Sequence, residues 1–123
     1  MRNVLNYVAV GFVLLASSSA AAQDRVDHFK GEPAPTLEQA LINFVAYNAK
    51  LEALLAGKLQ TADMVEIHQI TYTLENALER IRQDLAELAD TLEEVHVASE
   101  TMNYDVVREA GTIYLDVAKT LAN

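Results

Sequence analysis

Apolar and small residues recur at helical spacing along most of the chain. Between positions 61 and 102 they alternate at steps of three and four: Met64, Ile67, Thr71, Leu74, Leu78, Ile81, Leu85, Leu88, Leu92, Val95, Ser99 and Met102. This heptad spacing is typical of one long helix with a continuous packing seam. No glycine or proline interrupts it between Gly57 and Gly111. The pattern predicts a helix of about 40 residues, roughly 60 Å long.

Two shorter helices are predicted beside this long one. Thr36, followed three residues later by Gln39, matches a capping box and begins a helix that Gly57 ends. Thr61 is the predicted cap of the long helix, and Asn103 can cap a third helix. The apolar stripe of the third helix contains Val107, Ala110, Tyr114, Val117 and Leu121.

These elements predict an all-α fold, an antiparallel helical hairpin or bundle. The long central helix (about 61–102) is flanked by helices at about 36–56 and 104–121, because short turns make both neighbours antiparallel to it. Such a layer is thin and leaves Leu54, Ile70 and Ile113 incompletely covered. A homodimer with a four-helix cross-section would cover them. A bent long helix in a compact monomer is the alternative arrangement.

The first residues have the three-part pattern of a signal peptide. Arg2 precedes an apolar run from Val8 to Ala16, and small residues follow up to Ala22, where we expect cleavage. The run is about half of the 20 residues needed to span a bilayer, so no membrane span is expected after cleavage. The sequence thus predicts a signal peptide (1–22), an extended leader (23–35) and one helical domain (36–123) in a periplasmic or secreted protein.

Composition excludes several classes of function. Arg2 is the only charged residue among the first 22, so the remaining chain carries 18 acidic and 8 basic side chains and a formal charge of −10. This balance argues against nucleic-acid binding, which needs clustered Lys and Arg. The chain has no cysteine, which excludes disulfides, iron–sulfur clusters and covalent haem attachment.

The sequence also lacks the familiar motifs of enzymes. Ser99 is the only serine after the predicted signal peptide, and there is no glycine-rich phosphate loop or nucleophile elbow. We therefore expect a non-enzymatic binding or interaction module and no obligatory cofactor.

One polar stripe interrupts the long helix. His68, Tyr72 and Glu75 follow each other at steps of four and three, and Asn76 points further outward. This set is a candidate binding site. The alternative is a structural hydrogen-bond network that fixes the register of the first helix.

The histidines support an alternative function, in which a helical bundle binds a metal ion or haem. His28, His68 and His96 are the imidazoles of the chain. His68 and His96 lie about 42 Å apart on a continuous helix and cannot share an ion within one chain. For haem held between helices, Met64 or Met102 could serve as a facing ligand, although such residues are more often core filler.

Extending the leader beyond Thr36 along the long helix predicts a second candidate site. In that arrangement His28 and Phe29 dock beside His96, with Glu93 or Glu100 nearby, as a metal site or a pH-sensitive contact. The alternative is that Phe29 is only an apolar plug and His28 stays in solvent.

Acidic residues dominate the second half of the long helix. No basic residue occurs between Arg82 and Arg108. We expect this stretch to attract a basic protein partner or a divalent cation, or simply to keep the protein soluble. Its candidate residues are Asp84, Glu87, Asp90 and Glu94.

Three segments resemble a family of small exported bacterial helical proteins that is classed only as a domain of unknown function. They read DHFKGEPAPTLEQAL, IHQITYTLENAL and LEEVHVASE, and the likeness runs from Asp27 to about Leu121. The matching positions include His28, Phe29, Gly31, His68, Tyr72, Leu74, Glu75, Asn76, Glu94, His96 and Glu100. The resemblance implies a periplasmic helical protein, and it implies no particular reaction.

Overall fold

The computed structural model describes residues 29–123, which form three α-helices. They are α1 (Leu37–Leu55), α2 (Thr61–Glu100) and α3 (Tyr104–Ala122). This part of the chain contains no β-strand, and the predicted all-α fold is confirmed. The predicted signal peptide and the first part of the leader lie outside the described residues.

Two of the predicted helix caps are present. The Thr36 side chain accepts a hydrogen bond from the Gln39 backbone N–H at 3.2 Å, and Asn103 accepts one from the Val106 N–H at 3.4 Å. Each satisfies a backbone donor that has no partner within the first helical turn. The Gln39 side chain takes another partner, however, and donates to Asn43 at 2.8 Å.

The predicted ends of α2 need correction. Its N-cap is Gln60 and not Thr61, because the Asp63 carboxylate accepts the Gln60 N–H at 2.8 Å. At the other end Met102 adopts a left-handed conformation, with φ of 56°, and is 67% exposed. The Asn103 N–H then reaches back to the Ala98 carbonyl at 2.9 Å, which ends the helix before Met102 can join the seam.

The two short helices pack on different halves of α2. α1 packs on the first half and α3 on the second, and the two short helices contact each other only slightly. α1 begins beside the middle of α2, where Arg80 donates to the Pro35 carbonyl at 3.1 Å. The helices therefore form the thin antiparallel layer that the heptad pattern predicts. No helix in residues 29–123 has the length and apolar content to cross a membrane.

The packing seam of α2 is rotated from the predicted one. Its buried and half-buried positions keep the alternating spacing but include small and polar side chains: Ile67, Ile70, Leu74, Ala77, Ile81, Asp84, Leu88, Thr91, Val95 and Ala98. The heptad pattern predicts Leu78, Leu85 and Leu92 in the seam, but these residues are 45–50% exposed. The small side chains of Ala77 and Ala98 allow the short helices to approach α2 closely, which turns the leucines to one side.

The resulting core is small. Leu37, Ile70 and Leu74 are its large apolar side chains, and the other buried apolar residues are alanines. Ile70, predicted to be incompletely covered, is only 4% exposed, whereas Ile113 is 52% exposed as expected. Fifteen large apolar residues between Phe29 and Leu115 remain exposed, and most of the other large apolar side chains in the described chain are half-buried.

Candidate functional site

The leader is held on α2 by hydrogen bonds to its backbone. Thr73 is fully buried, and its hydroxyl accepts the Glu32 N–H at 2.9 Å. The Asn76 amide donates to the carbonyls of Lys30 and Glu32 at 2.9 and 3.0 Å. Together with Arg80, which binds the Pro35 carbonyl, these side chains are spaced three and four residues apart and line one face of α2.

α1 holds the same segment from its other side. Asn43 is 6% exposed, and its amide donates to the Pro33 carbonyl at 3.2 Å. The Gln39 side chain in turn donates to the Asn43 side-chain oxygen. The leader thus lies between α1 and α2, with its carbonyl groups paired to side chains of both helices.

Gly31 permits this close approach. Its φ is +70°, in the left-handed region that glycine adopts readily. A Cβ atom at this position would lie 2.6 Å from the Thr73 nitrogen and 2.8 Å from the Tyr72 carbonyl carbon. Any other residue would therefore push the leader away from the α2 backbone.

At the start of the described leader, the Phe29 ring packs against the first of two aromatic rings of α2 that lie in a row. The Phe29 and Tyr72 ring centroids are 6.4 Å apart, and those of Tyr72 and His68 are 5.1 Å apart, both in edge-to-face geometry. The Tyr72 hydroxyl lies 3.4 Å from His68 Nε2. The predicted polar stripe therefore splits, since His68 and Tyr72 meet each other, Asn76 holds the leader and Glu75 is exposed.

The predicted docking of Phe29 beside His96 is wrong. Phe29 lies against Tyr72, which precedes His96 by 24 residues of α2, or about 36 Å. The leader runs parallel to α2, because Thr73, Asn76 and Arg80 bind it in that order. The chain then reverses direction and continues as α1. His28, the other half of the proposed pair, lies outside the described residues.

The remaining members of that candidate site are on the surface. His96 Nε2 lies 3.4 Å from Glu100 Oε1, and both side chains are more than 60% exposed. Glu93 is exposed as well. Among residues 29–123, no three His, Asp or Glu side chains form a group that could hold a metal ion.

Asp84 differs from the other predicted acidic candidates. Its carboxylate makes two hydrogen bonds to the Arg80 guanidinium, at 2.5 and 3.1 Å, and its side chain is only 14% exposed. The pairing raises the pKa of Arg80. Asp84 is therefore compensated within the chain, whereas Glu87, Asp90 and Glu94 are exposed.

A second ion pair lies on the outer surface of α2. Arg82 donates to both oxygens of Glu79, at 2.7 and 3.0 Å, and Gln83 donates to one of them. These hydrogen bonds, with Arg82 contributing most, lower the pKa of the Glu79 carboxyl group. Because the folded-state pKa is lowered, the pair stabilises the fold above the ordinary carboxyl pKa and loses this effect as the pH falls through the lowered value.

An apolar groove lies where the last turn of α3 meets the first three turns of α1. We call it the α1–α3 groove. Its volume is about 820 Å³. Ile42 and Val45 on its wall are 54% and 69% exposed. The full lining consists of Glu38, Leu41, Ile42, Val45, Ala46, Thr120, Leu121 and Asn123.

Residues 1–123 match a family described as "Family of unknown function (DUF6746)". The chain belongs to this family. No curated protein and no solved structure is detectably similar to it. The predicted resemblance to a family without an assigned activity is confirmed, and membership of DUF6746 leaves the function to be inferred from the surfaces described above.

Two residues that bind the leader, Thr73 and Arg80, are not among the candidates that the sequence predicts. Thr73 precedes Asn76 by three residues and Arg80 follows it by four, so the sequence itself places all three on one face of a helix. This signal was hidden because threonine and arginine on a long helix ordinarily face solvent. Only the backbone carbonyls and N–H group of the leader reveal their role, and a sequence pattern does not specify such partners.

Proposed function

We propose that this protein is a non-enzymatic interaction module of the periplasm, and that it binds an apolar segment of a partner protein in the α1–α3 groove. One observation supports this most directly. The described chain buries three large apolar side chains and leaves fifteen exposed. Ile42 and Val45 are two of the exposed residues, and they lie together in the groove, where an exposed apolar patch is typical of an interaction site.

The charge of the chain indicates the chemistry of the partner. The formal net charge is −9, and Glu38 is the charged residue among those that line the groove. A segment with an apolar face and flanking Lys or Arg residues would match both properties, because opposite charges speed association and favour the correct partner. An amphipathic helix that presents its apolar face to the groove fits this description.

Site-specific photo-crosslinking in living cells tests the groove. A photoreactive amino acid at Ile42 should give a discrete adduct in the periplasm. The same group at Gln69, an exposed polar position on α2, should give none. Equal adducts at both positions, or an Ile42 adduct that survives Leu121→Asp in the opposite wall, would contradict the proposal.

The periplasmic location has its own test. The intact mass of the protein recovered from the periplasmic fraction should correspond to a chain that begins at Gln23, because Ala20 and Ala22 supply the small residues of the cleavage site. A mass that retains Met1 would contradict the cleavage, and recovery of the protein in another fraction would contradict the location independently of the groove.

No metal or haem function is proposed. The observation that would favour a bound metal ion, a group of three ligating side chains, is not found among residues 29–123. Metal analysis and an absorption spectrum of the purified protein remain the direct measurements for this alternative.

A further inference from the structure

A second apolar surface lies on α2, whose residues do not line the α1–α3 groove. Leu78, Leu85 and Leu92 are seven residues apart and form a straight column, which we call the leucine flank. They are 50%, 45% and 47% exposed. Each follows a residue of the seam by one position, so the column lies immediately beside the contact with the short helices.

The short helices extend this surface. Leu115 of α3 is 54% exposed and follows the half-buried Tyr114 by one position. In two antiparallel right-handed helices, the positions that follow the seam by one residue lie on the same side of the pair. Leu115 therefore faces the same way as the leucine flank, as does Val45 of α1, which also borders the groove.

The leucine flank can pair with a second copy of itself about a two-fold axis near Leu85. An antiparallel copy would place Leu85 against its equivalent and Leu78 against Leu92 of the partner subunit. Because α1 covers the first half of α2 and α3 the second, the same rotation places α1 of one copy over α3 of the other. Every cross-section then contains four helices, each antiparallel to its neighbours, which is the arrangement of an antiparallel four-helix bundle.

The available area is sufficient for a stable dimer. α2 is 40 residues long and therefore about 60 Å in length. Two adjacent helices, each about 10 Å wide, give a face of about 1,200 Å², more than the roughly 800 Å² per partner of a standard interface.

Charge favours the antiparallel orientation over the parallel one. The acidic stretch that follows Arg82 contains no basic residue before Arg108. Parallel helices would place two such stretches side by side, and like charges in proximity repel. An antiparallel pair with its two-fold axis near Leu85 instead places the two acidic stretches at opposite ends of the interface.

We propose that two copies of this chain pair through the leucine flank as an antiparallel dimer, with the two-fold axis near Leu85. The dimer surface is centred on α2 and shares only Val45 with the residues that line the proposed partner-binding groove. The groove variant Ile42→Asp should leave the dimer intact, so the two proposals can fail separately.

Light scattering on the purified protein tests the pairing. The wild-type mass should be twice the 13.5 kDa of the full chain, or twice the intact mass found for a processed chain. Leu85→Asp should halve it while circular dichroism shows retained helix, because Leu85 lies outside the seam. Leu59→Asp, at a 43% exposed turn residue, is the matched control and should remain dimeric. A monomeric wild type or a dimeric Leu85→Asp variant would overturn the proposal.

Cysteine cross-linking tests the orientation, since the natural chain has no cysteine. A mixture of Leu78→Cys and Leu92→Cys proteins should form a mixed disulfide on oxidation, because these positions face each other across the two-fold axis. Leu78→Cys alone should not cross-link, since the two copies of residue 78 would be offset by about 21 Å along the helices and a disulfide needs Cα atoms about 4.4–6.8 Å apart. Efficient cross-linking of Leu78→Cys alone, without the mixed product, would show a parallel dimer and refute the proposed one.

Discussion

At the scale of single residues, Gly31 determines how closely the leader approaches α2. Its φ is positive, and the Thr73 and Tyr72 backbone atoms lie too close to leave room for a Cβ atom. Thr73 and Asn76 then bind the leader backbone, one as an acceptor and the other as a donor. The leader is therefore positioned by the geometry of a few residues, more than by buried apolar area.

Gly31→Ala should destabilise the fold. The added methyl group meets backbone atoms that cannot rotate away, and alanine is strained at φ of +70°, so we expect the free energy of unfolding to fall by about 1–2 kcal/mol. Gly111→Ala is the control, because its methyl group meets nothing within 4 Å in the described chain and lies in a helix. Chemical denaturation should show a gain of about 0.5–1 kcal/mol for the control. A neutral Gly31→Ala would contradict the close approach.

Asn76→Asp should release the leader. The substitution keeps the shape of the side chain but replaces two donated hydrogen bonds with a carboxylate that faces two carbonyl oxygens, at a cost of about 1–2 kcal/mol. Hydrogen exchange should accelerate at residues 30–35 and stay unchanged in α3. Gln69→Glu makes the same chemical change at an exposed position of α2 and should alter neither exchange nor stability. Similar exchange in both variants would show that Asn76 does not hold the leader.

At the scale of secondary-structure elements, α2 illustrates what the sequence could and could not predict. Its existence and its length follow from the unbroken heptad pattern. Its observed span, Thr61–Glu100, is close to the predicted one. The rotation of its seam was not predictable from hydrophobicity alone. Columns of Leu and Ala compete for burial, and the close approach of the neighbouring helices favours the alanines.

The leader shows the same limit for the candidate site. Its extended form follows from Gly31 and the two prolines, but its direction depends on hydrogen bonds between distant parts of the chain. The sequence prediction assumed that the leader continues in one direction, which placed Phe29 near His96. The observed contact with Tyr72 needs the reversal that Thr73 and Asn76 stabilise.

Ala77→Leu tests the corrected seam of α2. Ala77 has no exposed surface, so the larger side chain would overpack the contact with α1, and we expect a loss of about 1–3 kcal/mol in the free energy of unfolding. Ala86→Leu is the matched control on the exposed side of the same helix and should change stability by less than about 0.5 kcal/mol. Stability is measured by thermal and chemical unfolding. Equal losses for Ala77→Leu and Ala86→Leu would contradict the corrected seam.

At the scale of the whole molecule, the thin layer has little interior of its own. Three large apolar side chains and several alanines are buried, and no disulfide adds stability because the chain has no cysteine. Oligomerisation is one way in which a chain with so small a core gains stability. Pairing through the leucine flank would supply a second apolar layer, and stability would then be coupled to association.

This coupling predicts that stability depends on protein concentration. For a dimer that dissociates as it unfolds, each tenfold increase in concentration adds about 1.4 kcal/mol per dimer, which corresponds to a rise of about 3 °C in Tm for roughly 200 residues. Calorimetry at concentrations that span about two decades should therefore show a rise of about 6 °C. Leu85→Asp should abolish the dependence and lower Tm at every concentration, whereas Leu59→Asp should preserve it. A wild-type Tm that stays constant over the same range would mean that the layer is stable as a monomer, and the exposed leucines would then need another explanation.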